Sequence, residues 1–167
     1  MDLKSYIKEI EDFPKTGILF RDIQPLLADN TAFNYAVRNM LFECKQIPDY
    51  FIGIESRGFI FAASMALISG AGFKMIRKAG KLPPNNIKTV EYDLEYGSAV
   101  IQLENKVTDN VNTHKTAVIV DDVYATGGTM EAARKLALNC GYALHDSICL
   151  IDIGLTKPKE TKCLISY

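Results

Sequence analysis

The sequence contains no tryptophan, and only two histidines and four cysteines in 167 residues. Cys44, Cys140, Cys149 and Cys163 form no C-x-x-C pair, and neither His114 nor His145 completes a zinc-ligand spacing with them. Four reduced thiols in a cytosolic protein fit this pattern. A dominant charge is missing too: the formal net charge of −1 gives no overall basic footprint of the kind nucleic-acid binders carry, while small charged substrates stay open. The longest uncharged stretch, GFIFAASMALISGAGF, falls short of the roughly 18–20 apolar residues that span a bilayer. At the start, MDLKSYIKEIEDF places Leu3, Tyr6, Ile7 and Ile10 at helical spacing between charges, unlike a signal peptide. These absences predict a cytoplasmic protein with no nucleic-acid or membrane partner.

The length fits one domain over 1–167, and 48% apolar residues suffice for a core without a disulfide or structural metal. No internal repeat or low-complexity segment occurs. The patterns alternate instead. Short apolar runs at 49–55, 72–78 and 116–122 predict strands, joined by LHDSICLIDI and by CLISY near the end. A long apolar run from Phe59 predicts a helix. From Thr129 onward, Met130, Ala133, Leu136, Ala137 and Cys140 share one helical face, with Gly141 as the stop. Strands of this kind separated by helices predict an α/β fold, a Rossmann-like parallel sheet flanked by helices on both faces. Ligands bind such sheets beyond the carboxyl ends of the strands. The stretch GKLPPNNIKTVEYDLEYGSAVIQLE breaks the rhythm and predicts a β-hairpin or excursion, equally a flap over a site or a surface decoration.

The segment VIVDDVYATGGTM, 118–130, lies at one strand end. Asp121 and Asp122 accept hydrogen bonds, while Ala125, Thr126, Gly127, Gly128 and Thr129 offer backbone amides and two hydroxyls at a helix N-terminus, a cradle for phosphate. A sugar phosphate satisfies both halves. Neither the Walker pattern G-x-x-x-x-G-K-[ST] nor the dinucleotide pattern G-x-G-x-x-G is present. Magnesium ligation by the aspartates, or a polar strand end followed by a helix cap, are the competing readings.

VIVDDVYATGGT resembles the phosphoribosyl pyrophosphate motif of the type I phosphoribosyltransferases. DFPKTGILFRDIQPLLAD, GIESRGFIF, IRKAGKLP and YDLEYG are similar, in order, to segments of adenine phosphoribosyltransferases. The resemblance implies that family's fold, with a small N-terminal hood over 1–30 and a flexible flap over 81–97. It also implies the reaction of adenine with phosphoribosyl pyrophosphate to give AMP and pyrophosphate, with magnesium carried through the donor's pyrophosphate and ribose, in a homodimer. By the same resemblance Asp121 and Asp122 hold the ribose hydroxyls and residues 125–129 the 5-phosphate. Arg57, Arg77 and Lys81 contact pyrophosphate. Leu19 and Arg21 read the base through their backbone, Phe20 stacks on it, and Val123 walls it. Glu95 is the general acid or base, accompanied by Tyr96, with Arg57 also in the catalytic set. Three positions depart from the family pattern: Pro84 in the flap, Tyr124 in the loop, and a short C-terminal stretch without the customary Gly-Arg-Glu turn. Two other readings stay open at this level: a phosphoribosyltransferase for another purine, and a non-catalytic regulator that uses phosphoribosyl pyrophosphate as effector.

Overall fold

A computed structural model describes residues 1–94, 97–105, 115–158 and 160–167. Glu95 and Tyr96, and His114 with them, lie outside the described residues. In chain order the elements are β1 (Lys8–Ile10), β2 (Phe20–Asp22), α1 (Gln24–Ala28), α2 (Asn30–Phe42), β3 (Tyr50–Ile54), α3 (Gly58–Ser69) and β4 (Gly72–Lys78). They continue with β5 (Ile87–Leu94), β6 (Gly97–Glu104), β7 (Thr116–Tyr124), α4 (Gly128–Asn139), β8 (Ala143–Asp152) and β9 (Lys162–Ser166).

One seven-stranded sheet runs in the order β5-β6-β4-β3-β7-β8-β9. From β4 to β9 the neighbours pair in parallel, whereas β6 pairs antiparallel with both β4 and β5. The predicted parallel sheet is therefore present, with an antiparallel hairpin added at one edge. Successive residues of a strand face opposite sides, and β7 uses this to serve two cores. Val118 and Val120 pack with Ala36 and Met40 of α2 and Phe61 and Met65 of α3. Ala117 and Ile119 pack with Met130, Ala133 and Leu136 of α4 on the other face. Both sheet faces are covered, which is why the strands read as continuous apolar runs rather than alternating ones.

Two sequence-based expectations need correction. The first residues do not form an extended helix: a single 3-10 turn, Leu3–Tyr6, is capped by the Asp2 side chain and followed by β1. Leu3 and Ile7 are buried but Ile10 is 39% exposed, so the apolar spacing supplies two anchors and not a continuous helical face. The third core strand also runs further than predicted. It continues past both aspartates to Tyr124 because β8 stays alongside, with Asp121 opposite Cys149, Val123 opposite Ile151 and Tyr124 opposite Asp152. The two carboxylates, the last residues of the predicted run 116–122, thus lie inside the strand and not at its end.

The segment that broke the rhythm is a hairpin. β5 and β6 pair in register from Ile87 opposite Glu104 to Leu94 opposite Gly97. It joins the sheet where Arg77 faces Gln102 and Lys78 faces Ile101. At the other end of the strands, Asp49 accepts from Lys115 Nζ and from Thr116 N and Oγ1, all at 2.8–2.9 Å, and so aligns the starts of β3 and β7. The Lys115 contact, then the Thr116 amide, holds the Asp49 carboxyl down at about 2. β1 and β2 form a separate two-stranded sheet.

Candidate functional site

The site is built where β3 and β7 end side by side. After Ile54 the chain turns through Glu55, Ser56 and Arg57 and enters α3 at Gly58. That turn lies so close to β7 that a Cβ on Gly58 would sit 2.7 Å from the Val120 carbonyl oxygen and 2.9 Å from Asp121 Oδ1. Only glycine permits the approach. Its result is that Arg57, on a turn, reaches Asp122, on a strand: Nε lies 2.8 Å from Asp122 Oδ2. The same guanidinium lies 5.1 Å from the centroid of the Phe20 ring. A cavity of about 720 Å³ opens here, lined among others by Ser56, Arg57, Lys78, Tyr92, Asp121, Asp122, Val123 and Thr129.

Two adjacent carboxylates in a packed strand end repel each other and lose water. Asp121 keeps an opening to the cavity but is densely surrounded by protein; burial, then the charge of Asp122, pushes its carboxyl well above the usual range. Burial also raises Asp122, against the opposing pull of Arg57. The Asp122 amide donates to Asp121 Oδ1 at 2.9 Å. Asp122 Oδ2 is close enough to Arg57 for charge attraction, yet no donor hydrogen is aimed at it, so this buried oxygen has no hydrogen-bond partner among the described residues. Buried polar atoms are almost always paired. A hydroxyl arriving in the cavity would complete this one.

Beyond the aspartates the chain forms a tight loop. Gly127 has φ of 90°, and α4 starts at Gly128 with no side chain capping its first amides. Those amides and the helix dipole remain open to an anion. A second space of about 80 Å³, room for two or three waters, is lined by Asp121 and residues 123–130. Two features hold the loop from its other side. Tyr124 is buried, with its hydroxyl packed directly against Gly127, so that a Cβ there would collide with it. Thr156 Oγ1 lies 3.3 and 3.2 Å from the carbonyl oxygens of Ala125 and Thr126. Tyr124, a departure at the level of sequence, therefore fills a space under the loop. Thr156 carried no signal in the sequence, since it comes from the β8–β9 connection.

Other expected residues are spread more widely. Arg77 is engaged by Glu55, with Nε at 3.2 Å and Nη2 at 3.4 Å, and the Lys78 amide donates to the same carboxylate at 2.7 Å. The Arg77 contact is the largest cause of the lowered Glu55 carboxyl. Lys81 is exposed and does not line the cavity, whereas Lys78 does. Lys74, Arg77, Lys78 and Lys81 make one basic run with no acidic residue before Glu91, so Lys78 is legible in the sequence as one of its members. Val123 lines both spaces. Leu19 is 43% exposed, and Phe20 packs edge-on to Phe13 at 5.1 Å. Leu19, Phe20 and Arg21 stand outside the lining of the large cavity, joined to it through the contact between Phe20 and Arg57. Among the described residues no group of three or more His, Cys, Asp or Glu side chains is placed to hold a metal ion.

Residues 25–166 match the family model of the phosphoribosyl transferase domain. The adenine phosphoribosyltransferase of Bdellovibrio bacteriovorus is 49% identical over 92% of this chain and 88% of its own length. The crystal structure of adenine phosphoribosyltransferase from Thermoanaerobacter pseudethanolicus, 37% identical, superimposes with a TM-score of 0.88 over 99% of this chain and 98% of that one. The Giardia lamblia enzyme, solved with 9-deazaadenine, is 31% identical with a TM-score of 0.87 over 99% of this chain and 96% of that one. Aspartate pair, glycine loop, sheet order and these likenesses agree: the chain belongs to the adenine phosphoribosyltransferases of the type I phosphoribosyltransferase family.

Proposed function

We propose the following division of labour for the family's reaction, in which adenine takes the 5-phosphoribosyl group from phosphoribosyl pyrophosphate to give AMP and pyrophosphate in purine salvage. The observation that carries it is the unpartnered Asp122 Oδ2 at the large cavity next to the smaller space at the uncapped start of α4, with Asp121, Val123 and Thr129 lining both. Asp121 and Asp122 hold the ribose hydroxyls, and residues 125–129 hold the 5-phosphate. Bond breaking at the anomeric carbon leaves positive charge on the sugar and negative charge on pyrophosphate. The carboxylates stabilise the first, and Arg57 with Lys78 the second. Arg77 and Lys81 join them at the pyrophosphate once Arg77 leaves Glu55. Phe20 stacks on adenine, the backbone of Leu19 and Arg21 reads its edge, and Val123 covers it.

Magnesium would enter with the donor; the carboxylates of Asp121 and Asp122 suit sugar hydroxyls, and among the described residues no group of three or more His, Cys, Asp or Glu side chains is placed to hold an ion. Bound with the donor, the ion would supply charge neutralisation at the leaving group. Glu95 exchanges a proton with the purine's imidazole nitrogen, accompanied by Tyr96, and segment 81–97 serves as a flap over the site. Glu95→Gln is expected to slow turnover about 10²-fold with adenine affinity near normal. Single-turnover kinetics with measured adenine binding checks this.

A homodimer is supported by α3, which has no charged residue and exposes Ile60, Leu67 and Ile68 on one side. An apolar face of this kind is normally covered by a partner surface. Sedimentation at micromolar concentration is expected to give twice the chain mass. No helix among the described residues is long and apolar enough to cross a membrane, in keeping with a cytoplasmic site of action. The test of the whole reading is product formation with phosphoribosyl pyrophosphate and magnesium, offering adenine, hypoxanthine, guanine and xanthine separately. AMP and pyrophosphate from adenine alone are expected. Turnover of another base would reassign the pocket, and donor binding without any turnover would overturn the catalytic reading.

A further inference from the structure

The base-recognition strand β2 has an unusual support. It pairs only with β1, through three residue pairs, and that two-stranded sheet is separate from the main one. A sheet of this size has little stability of its own, so side-chain contacts must set its orientation. Leu3, Ile7 and Ile23 anchor its surroundings to the core. At β2 itself the anchor is Arg21. Its side chain is only 11% exposed, although no helix or main-sheet strand pairs with β2. Tyr167 packs against that side chain. The Arg21 guanidinium carbon lies 3.8 Å from the Tyr167 ring centroid, and Lys4 Nζ lies 4.7 Å from it. Glu9 of β1 forms an ion pair with Arg21 Nη1 and balances part of that charge. Tyr167 is in turn tied to the main sheet, because its amide donates to the Asp152 carbonyl at 3.0 Å.

We infer that Tyr167 is a positioning residue for base recognition: its ring, stacked on Arg21, fixes β2 and hence Phe20 relative to Arg57 and the cavity. The inference rests on the reading of residues 19–21 as the base-recognition segment. Its physical content is a cation–π contact at a largely desolvated guanidinium, where such contacts are strongest. The neighbouring residue Phe20 faces Arg57 at 5.1 Å, so rotation of β2 moves the aromatic platform away from the reaction centre. The sugar-phosphate loop has its own supports, Tyr124 and Thr156. The effect must therefore fall on one substrate and spare the other.

The experiment is steady-state kinetics of the wild type, Tyr167→Ala, Tyr167→Leu and Tyr167→Phe, with adenine and phosphoribosyl pyrophosphate varied in turn, together with thermal melts. The Ala and Leu variants are expected to raise the KM for adenine about tenfold, with donor KM and kcat within twofold. The Phe variant keeps the π face and is expected to behave as wild type. Leu retains apolar bulk, so a normal Leu variant would overturn the cation–π account. An unchanged adenine KM in the Ala variant, or equal rises for both substrates that follow the loss in melting temperature, would overturn the positioning role. If the Ala variant does not fold, the contrast between Leu and Phe decides. Failure of the base assignment is separately visible: the wild type would then use another purine, and the same KM ratios are read on that base.

Discussion

Asp121→Asn is expected to lower kcat/KM for phosphoribosyl pyrophosphate about 10³-fold and, at neutral pH, to raise the melting temperature by roughly 2–4 °C, the shift that about 1 kcal/mol produces in a domain of this size. The two effects share one cause. Burial and the charge of Asp122 push the Asp121 carboxyl well above its usual range, so the ionised group opposes folding. Asparagine removes that charge and retains an oxygen to accept the Asp122 amide, now at 2.9 Å. The sign with pH follows. Because the folded value lies above the unfolded one, the wild type is penalised at pH above the folded value, and the penalty fades as pH falls through it. The stability difference between variant and wild type should therefore shrink on acidification. On the proposed role, in which the ionised carboxylate accepts from the ribose hydroxyls, the acid limb of kcat/KM for the donor should lie above the ordinary carboxylate range of about 4. Thermal melts and donor kinetics across pH check both. A less stable variant with full donor use would remove Asp121 from the site.

Arg57→Ala should move stability the other way while damaging activity as severely. Among the described residues it removes the only cation in contact with Asp122, whose Oδ2 then stays buried with neither charge nor hydrogen bond from them. Breaking a buried pair by removing one member costs about 3–5 kcal/mol; the Arg57 side chain is 36% exposed, so about 2 kcal/mol is expected here. Loss of the guanidinium at the pyrophosphate is expected to reduce kcat/KM about 10³-fold. The stability loss, measured by denaturant unfolding, should largely vanish when Arg57→Ala is made on an Asp122→Asn background, where no buried charge is left behind. Activity should not return. Additive stability losses in that cycle would show that Arg57 supports the fold through some contact other than Asp122. Lysine at 57 should recover stability better than activity, because it restores charge without the planar fork.

The contrast between these two variants depends on a geometry that the sequence does not contain. Asp121, Asp122 and the loop at 125–129 are legible because they are contiguous: an apolar strand, two acceptors, a glycine turn and a helix start are all written within thirteen residues. The basic run was legible as a run, but not as roles. Its members alternate along β4, so Arg77 turns to Glu55 while Lys78 reaches the cavity. The initial segment was misread because helical spacing of four apolar residues also fits a 3-10 turn followed by a strand, and only the packing of Leu3 and Ile7 chooses between them.

By itself, the sequence determined the alternation of strands and helices, the aspartate pair with its glycine loop, and the family to which these belong. Each is a local pattern, set by side-chain periodicity and by backbone freedom at a few glycines. Tertiary structure alone decided that Arg57 meets Asp122, that Gly58 allows it, that Thr156 and Tyr124 hold the loop, and that Tyr167 stacks on Arg21. Most of these contacts join residues far apart in the chain; all depend on how elements pack. Their energies come from burial, charge pairing and close approach, which exist only once the sheet has brought its strand ends together.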